Sequence, residues 1–158
     1  MLPLMRQNGF SLIEILLAVG ILTILAALAF SAYTGYRTAI EAEEEINKIR
    51  STLRHAQGNA IAFEQNSQWG VHFSNPAGSD PIYELFYGAS YPGTIKETIY
   101  LSSRFMFTAP ASGASEDIMF EKRSGRSTSA LTITITIQPR SGNEPIKSVF
   151  VTKEGNIQ

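Results

Sequence analysis

The chain predicts an α+β protein, with one long N-terminal α-helix packed on an antiparallel β-sheet head. Three observations predict it. Residues 10–32 are apolar apart from small polar residues and a single acid, Glu14. Residues 42–63 carry apolar side chains at helical spacing, and no proline between Pro3 and Pro76 forces a break between the two segments. Beyond Asn66 the sequence becomes short aromatic and β-branched runs separated by glycine, proline and asparagine, which is how strands and their turns read.

The first element is a membrane span. A helix over residues 10–32 is about 35 Å long, enough for a hydrocarbon core of about 30 Å. A carboxylate inside such a helix is costly, so Glu14 needs a partner or a purpose. A secretory signal has a shorter apolar region followed by an A-x-A-like site. Here the run is long, and the polar stretch Met1–Asn8 lies before Gly9. An ordinary signal anchor explains the hydrophobicity but not Glu14. Arg6 precedes the span; Arg37 and then Glu41, Glu43, Glu44 and Glu45 follow it. On that single early arginine, the positive-inside rule places the N-terminus in the cytoplasm.

The run Gly9-Phe10-Ser11-Leu12-Ile13-Glu14, with Ile24–Ala29 and Tyr33 further along, resembles the N-terminus of the type IV pilin and type II secretion pseudopilin superfamily. The likeness covers about the first quarter of the chain. It implies a leader over Met1–Gly9, cut by a prepilin peptidase between Gly9 and Phe10, with N-methylation of Phe10. It also implies that Glu14 guides assembly by pairing with the methylated amine of a neighbouring subunit. The implied partners are that peptidase, other pilin or pseudopilin subunits, a membrane platform protein, an assembly ATPase, and membrane lipid before assembly. The implied location is a single-pass anchor in the inner or cytoplasmic membrane, head outside, and later a periplasmic or surface filament. The family often has proline where this chain has Ser31, so no kink is implied there. The expected organisation is a leader over 1–9, a membrane or filament-core helix over 10–33, its amphipathic continuation over 34–64, and a β-rich head over 65–158.

Along the long helix, Gly20 and Gly35 read either as bending points or as sites of close small-residue helix packing. From Ala42 the helix becomes amphipathic. Ala42, Ile46, Ile49, Leu53, Ala56, Ala60 and Phe63 alternate spacings of four and three, which is one face of a helix. Small alanines in the second half suit close packing on a sheet better than a coiled coil. Glu44 and Lys48 stand at i,i+4, the spacing of a surface ion pair. One helix is expected from about Ser11 to about Phe63.

Trp69–Phe73 is the first expected strand, with Trp69, Val71 and Phe73 on one face. Asn75–Pro81 is a turn by composition, and Ile82–Tyr87 an aromatic second strand. Glu97–Leu101 and Arg104–Phe107 are expected to pair with each other. Ala109–Ser115 reads as a small-residue loop, and Ile118–Glu121 as a strand. Ala130–Gln138 has the clearest alternation: Leu131, Ile133, Ile135 and Ile137 interleave with Thr132, Thr134 and Thr136. Pro139–Pro145 is a turn, Lys147–Thr152 a returning hairpin strand, and Glu154-Gly155-Asn156 a turn into a final stub. Ser67–Val71 and the closing Gly155-Asn156-Ile157 also resemble the H-type minor pseudopilins and related minor pilins.

Composition limits the chemistry. The 158 residues hold no cysteine, so disulfides and thiolate metal sites are excluded. Thirteen basic and fourteen acidic residues give a net charge of -1, which points neither to nor away from nucleic acid as a bulk partner. Two histidines, His55 and His72, are too few for a histidine-based zinc site. Both read as surface or satisfied histidines, and Glu116-Asp117 as a solvated loop. No enzymatic activity or cofactor is expected. Some major pseudopilins bind calcium through acidic C-terminal loops, which Glu144 and Glu154 do not reproduce. Lys122, Arg123, Arg126 and Arg140 are the candidate phosphate contacts, because some minor pilins take up DNA. A solvated basic face is the simpler reading. The alternatives are therefore a tip or minor pilin binding DNA or a surface, or a membrane-anchored domain that borrows a pilin-like signal.

Overall fold

A computed structural model of the chain describes residues 10–140 and 146–158. The described elements are helix α1 (Leu12–Ile61), a 3-10 turn (Glu64–Asn66) and seven strands. These are β1 (Trp69–Asn75), β2 (Ile82–Tyr87), β3 (Thr94–Tyr100), β4 (Phe105–Ala109), β5 (Ala114–Phe120), β6 (Ile133–Pro139) and β7 (Lys147–Val151). The chain divides into two units, Met1–Arg37 and Thr38–Gln158.

In the first unit, the apolar side chains of α1 from Leu12 to Phe30 are exposed. α1 is the one described helix long and apolar enough to cross a membrane. Its hydrophobic surface has no core to fill within this unit, which is how a segment made for lipid or for neighbouring helices looks.

The second unit has one core. Ala42, Ile46, Ile49, Leu53, Ala56 and Ala60 are all almost fully buried along one stripe of α1. They pack on two antiparallel sheets, of order β3-β2-β1-β5 and β4-β6-β7. The head is thus two sheets around a shared core. Trp69, Val71, Phe73, Tyr83, Leu85, Ile118 and Phe120 face it from the first sheet, and Phe105, Phe107, Ile135, Ile137, Val149 and Val151 from the second. Burying each large side chain contributes about 1.5–3 kcal/mol, so this stripe and its facing residues hold the head together.

Phe63 leaves the stripe. It adopts a left-handed backbone at φ 59°, as do Gln65 and Asn66, and this turns the chain from helix to strand. The exposed end of α1 is capped from elsewhere: the Arg123 N–H donates to the Ala60 carbonyl at 2.9 Å. Trp69 Nε1 donates to the Glu64 carbonyl at 3.0 Å, pinning the 3-10 turn to β1.

Several local expectations are corrected. β3 and β4 do not pair; β3 runs beside β2 and β4 beside β6. The link between them crosses from one sheet to the other, anchored by buried Leu101 and Phe105. β6 begins at Ile133, because its partner β7 ends at Val151, opposite Ile133. Leu131 therefore lies outside the strand and is exposed. Glu116 and Asp117 are in β5 rather than a loop, opposite Phe73 and His72 of β1. Lys48 bonds Glu45 at 2.7 Å instead of Glu44, because Glu45 is buried beside it. Much of the turn Pro139–Pro145, with Gly142-Asn143, lies outside the described residues.

Candidate functional site

At the start of α1, the Ser11 carbonyl accepts from the Glu14 and Ile15 N–H groups at 3.1 and 3.2 Å. Glu14 thus sits in the first turn, where unpaired N–H groups and the positive end of the helix dipole favour an anion. The spacing Ser11-x-x-Glu14 also matches a capping box, a local reason for an acid here that the apolar pattern alone did not suggest. Phe10 lies just before the helix, four residues ahead of Glu14. With Glu14, Ile15, Ala18 and Val19 it lines a shallow, mostly apolar groove. Phe10 and Glu14 are therefore brought together, while Gly9 lies outside the described residues.

The basic residues do not form one patch. Lys122 and Arg123 stand over the Phe63 ring, with the Lys122 ammonium 5.7 Å and the Arg123 guanidinium 4.6 Å from its centre. Such contacts hold cations against the protein. Arg126 is exposed next to Ser127, whose N–H donates to the Lys153 carbonyl, at the Ile133 end of β6. Arg140 follows Pro139 at the other end of that strand. There it donates through Nε to the Phe105 carbonyl at 3.2 Å and lies 3.7 Å from Asp80. β6 separates it from the other three by about 20 Å.

α1 is tied to the second sheet by two ion pairs across the head. Arg104 bonds Glu41, and Lys147 donates to Glu43 at 2.7 Å. The Lys147 ammonium holds the Glu43 carboxyl below the usual carboxylate range.

The head also contains a polar row that sequence reasoning missed. Across the first sheet, Thr98, Glu84, His72 and Asp117 occupy successive register positions on the face turned away from the core. His72 Nδ1 lies 2.5 Å from Asp117 Oδ1. The Tyr91 hydroxyl and the Thr98 hydroxyl each donate to one Glu84 oxygen at 2.6 Å. Tyr91, from the loop between β2 and β3, stacks on His72 with ring centres 3.6 Å apart. His72 is thus buried and satisfied rather than on the surface. The bond to Glu84 pushes the Tyr91 hydroxyl up to about 12. Only the alternation of β1 hinted at this row, since its other members come from three further segments.

Comparison with known proteins gives two findings. The prokaryotic N-terminal methylation motif matches residues 4–30. The fold is similar to that of the type IV minor pilin FimU of Pseudomonas aeruginosa (strain PAO1), in two crystal forms. In the first, TM-score is 0.54 and identity 12%, covering 78% of this chain and 90% of that one. In the second, TM-score is 0.50 and identity 12%, covering 73% and 90%. No curated protein matches the sequence. At this identity the structural likeness is one of fold. The chain therefore has the pilin architecture of a long N-terminal helix on antiparallel sheets. It carries the prepilin-type methylation motif at the start of that helix.

Proposed function

We propose that the chain is a structural subunit, a minor pilin or pseudopilin, of a type IV pilus-like or type II secretion filament. The observation that carries this reading is the methylation motif at residues 4–30, laid on the start of a helix apolar enough to cross a membrane. In this reading a prepilin peptidase cuts between Gly9 and Phe10 and methylates the new amine of Phe10. The chain waits in the inner or cytoplasmic membrane with its N-terminus in the cytoplasm and its head outside.

Assembly follows from charge. Cleavage creates a cation at Phe10, close to Glu14, and neither charge is comfortable in an apolar filament core. The carboxylate of an incoming subunit is neutralised by the amine of one already in place, which sets the axial register. A platform protein and a cytoplasmic ATPase drive the movement, and the chain itself performs no reaction.

The test is intact mass and N-terminal analysis of the membrane-extracted protein, with and without a co-expressed prepilin peptidase. A mature chain beginning at Phe10 and heavier by one methyl group is the expected result. A chain still carrying Met1–Gly9 beside an active peptidase overturns the reading. Given processing, Glu14→Ala is expected to leave processed subunits in the membrane and out of sheared filaments.

A further inference from the structure

The exposed surface of α1 in the first unit changes character near its end. From Phe10 to Phe30 the large side chains are aliphatic or phenylalanine, with Glu14 the only charge. Tyr33 and Tyr36 follow, one helical turn apart and exposed at 61% and 68%, and then Arg37. At 100° per residue, Phe30, Tyr33, Tyr36 and Arg37 fall within about 120° of the helix circumference. Tyrosine combines an apolar ring with a hydroxyl that wants water or a polar headgroup, so it collects at membrane interfaces. An arginine one position on brings a cation to the level of lipid phosphates.

Axial spacing fits. From Glu14 to Tyr33 is 19 residues, about 28 Å along the helix, and from Glu14 to Tyr36 about 33 Å. These lengths bracket a hydrocarbon core of about 30 Å. When the tyrosines sit at one headgroup layer, Glu14 sits at the other.

We infer that Tyr33 and Tyr36 dock in the headgroup layer on the head side of the bilayer, and that this docking fixes the depth of the helix so that Glu14 rests in the opposite headgroup layer. The inference rests on reading α1 as a membrane span. It means the Glu14 carboxylate is hydrated while the subunit waits in the membrane. It enters an apolar medium, and needs its neutralising amine, only when the helix is drawn into a filament. The acid then acts as a check on extraction rather than a burden on insertion.

The chain has no cysteine, so single cysteines can report depth. The full-length protein, in sealed vesicles of known orientation, would be treated with a membrane-impermeant maleimide at Ser11→Cys, Leu25→Cys, Phe30→Cys or Ile40→Cys. Ile40→Cys is expected to react from the head side, and Ser11→Cys only from the opposite side. Leu25→Cys and Phe30→Cys are expected to be protected from both. In a Tyr33→Ala/Tyr36→Ala background the reactive boundary is expected to shift by about one helical turn, three to four residues. In Tyr33→Trp/Tyr36→Trp, which keeps interfacial rings, it is expected to stay. Reactive Leu25→Cys, protected Ile40→Cys, a boundary unmoved by the alanine pair, or one moved equally by the tryptophan pair overturns the inference while leaving the span intact. Four reactive cysteines in a protein that washes off without detergent overturn the span as well.

Discussion

Tyr91 joins two strands and a loop through one hydroxyl and one ring face. Its hydroxyl donates to Glu84, and the carboxylate raises its ionisation to about 12, above the ordinary value of 10. A raised value means that the bond contributes stability in full below the unfolded-state value, about pH 10, and loses it as pH rises through about 12. An ultraviolet phenolate titration is expected to show a tyrosine ionising near pH 12 that disappears in Tyr91→Phe. Burial also pushes the Tyr83 hydroxyl up to about 12, by disfavouring its phenolate, so the Tyr91→Phe difference curve is what identifies the residue. Tyr91→Phe is also expected to cost about 1–2 kcal/mol at neutral pH, read by denaturant unfolding, because Glu84 keeps only the Thr98 donor. A variant as stable as the parent would show that water replaces the tyrosine at no cost. None of this was visible in sequence. His72 and Asp117 are 45 positions apart, and the acid lies in a stretch whose polar composition reads as loop.

At the scale of elements, α1 was legible almost to its ends. The apolar stripe Ala42–Ala60 follows from periodicity, and its members are those buried in the head. Leu53→Ala is expected to cost about 2–5 kcal/mol in chemical unfolding, since Leu53 is fully buried in the core that the two sheets share. The Gln57 side chain shows what periodicity leaves out. Its Nε2 donates to the carbonyls of Gly125 and Gly155 at 2.9 and 2.8 Å, joining the helix to two distant loops. Gly155 has φ +87°, and a Cβ there would meet the Gly125 carbonyl oxygen at 2.3 Å. Gly155→Ala is expected to destabilise the head by about 1–3 kcal/mol, and thermal unfolding would measure it. The β5 strand and the late start of β6 were hidden for a related reason. Both depend on which strand lies alongside, and a partner's end decides where pairing stops.

For the whole molecule, the division at Arg37–Thr38 separates a lipid-compatible helix from a head whose core lies entirely beyond it. Residues 38–158 are expected to fold as a soluble domain, with dispersed amide resonances and cooperative unfolding. An aggregated or molten product would mean that the preceding segment supplies necessary packing. The sequence by itself determined the long helix, the acid at Glu14, the methylation signal and the antiparallel head. These rest on local regularities: a run long enough for a bilayer, a 3.6-residue stripe, a short motif and a period of two. Only the tertiary structure decided that the head is two sheets sharing one core, that Arg140 stands apart from Lys122, Arg123 and Arg126, and that a polar row crosses the first sheet under Tyr91. Strand order and register bring together residues far apart in the chain, and local periodicity carries no information about which distant strand lies beside which.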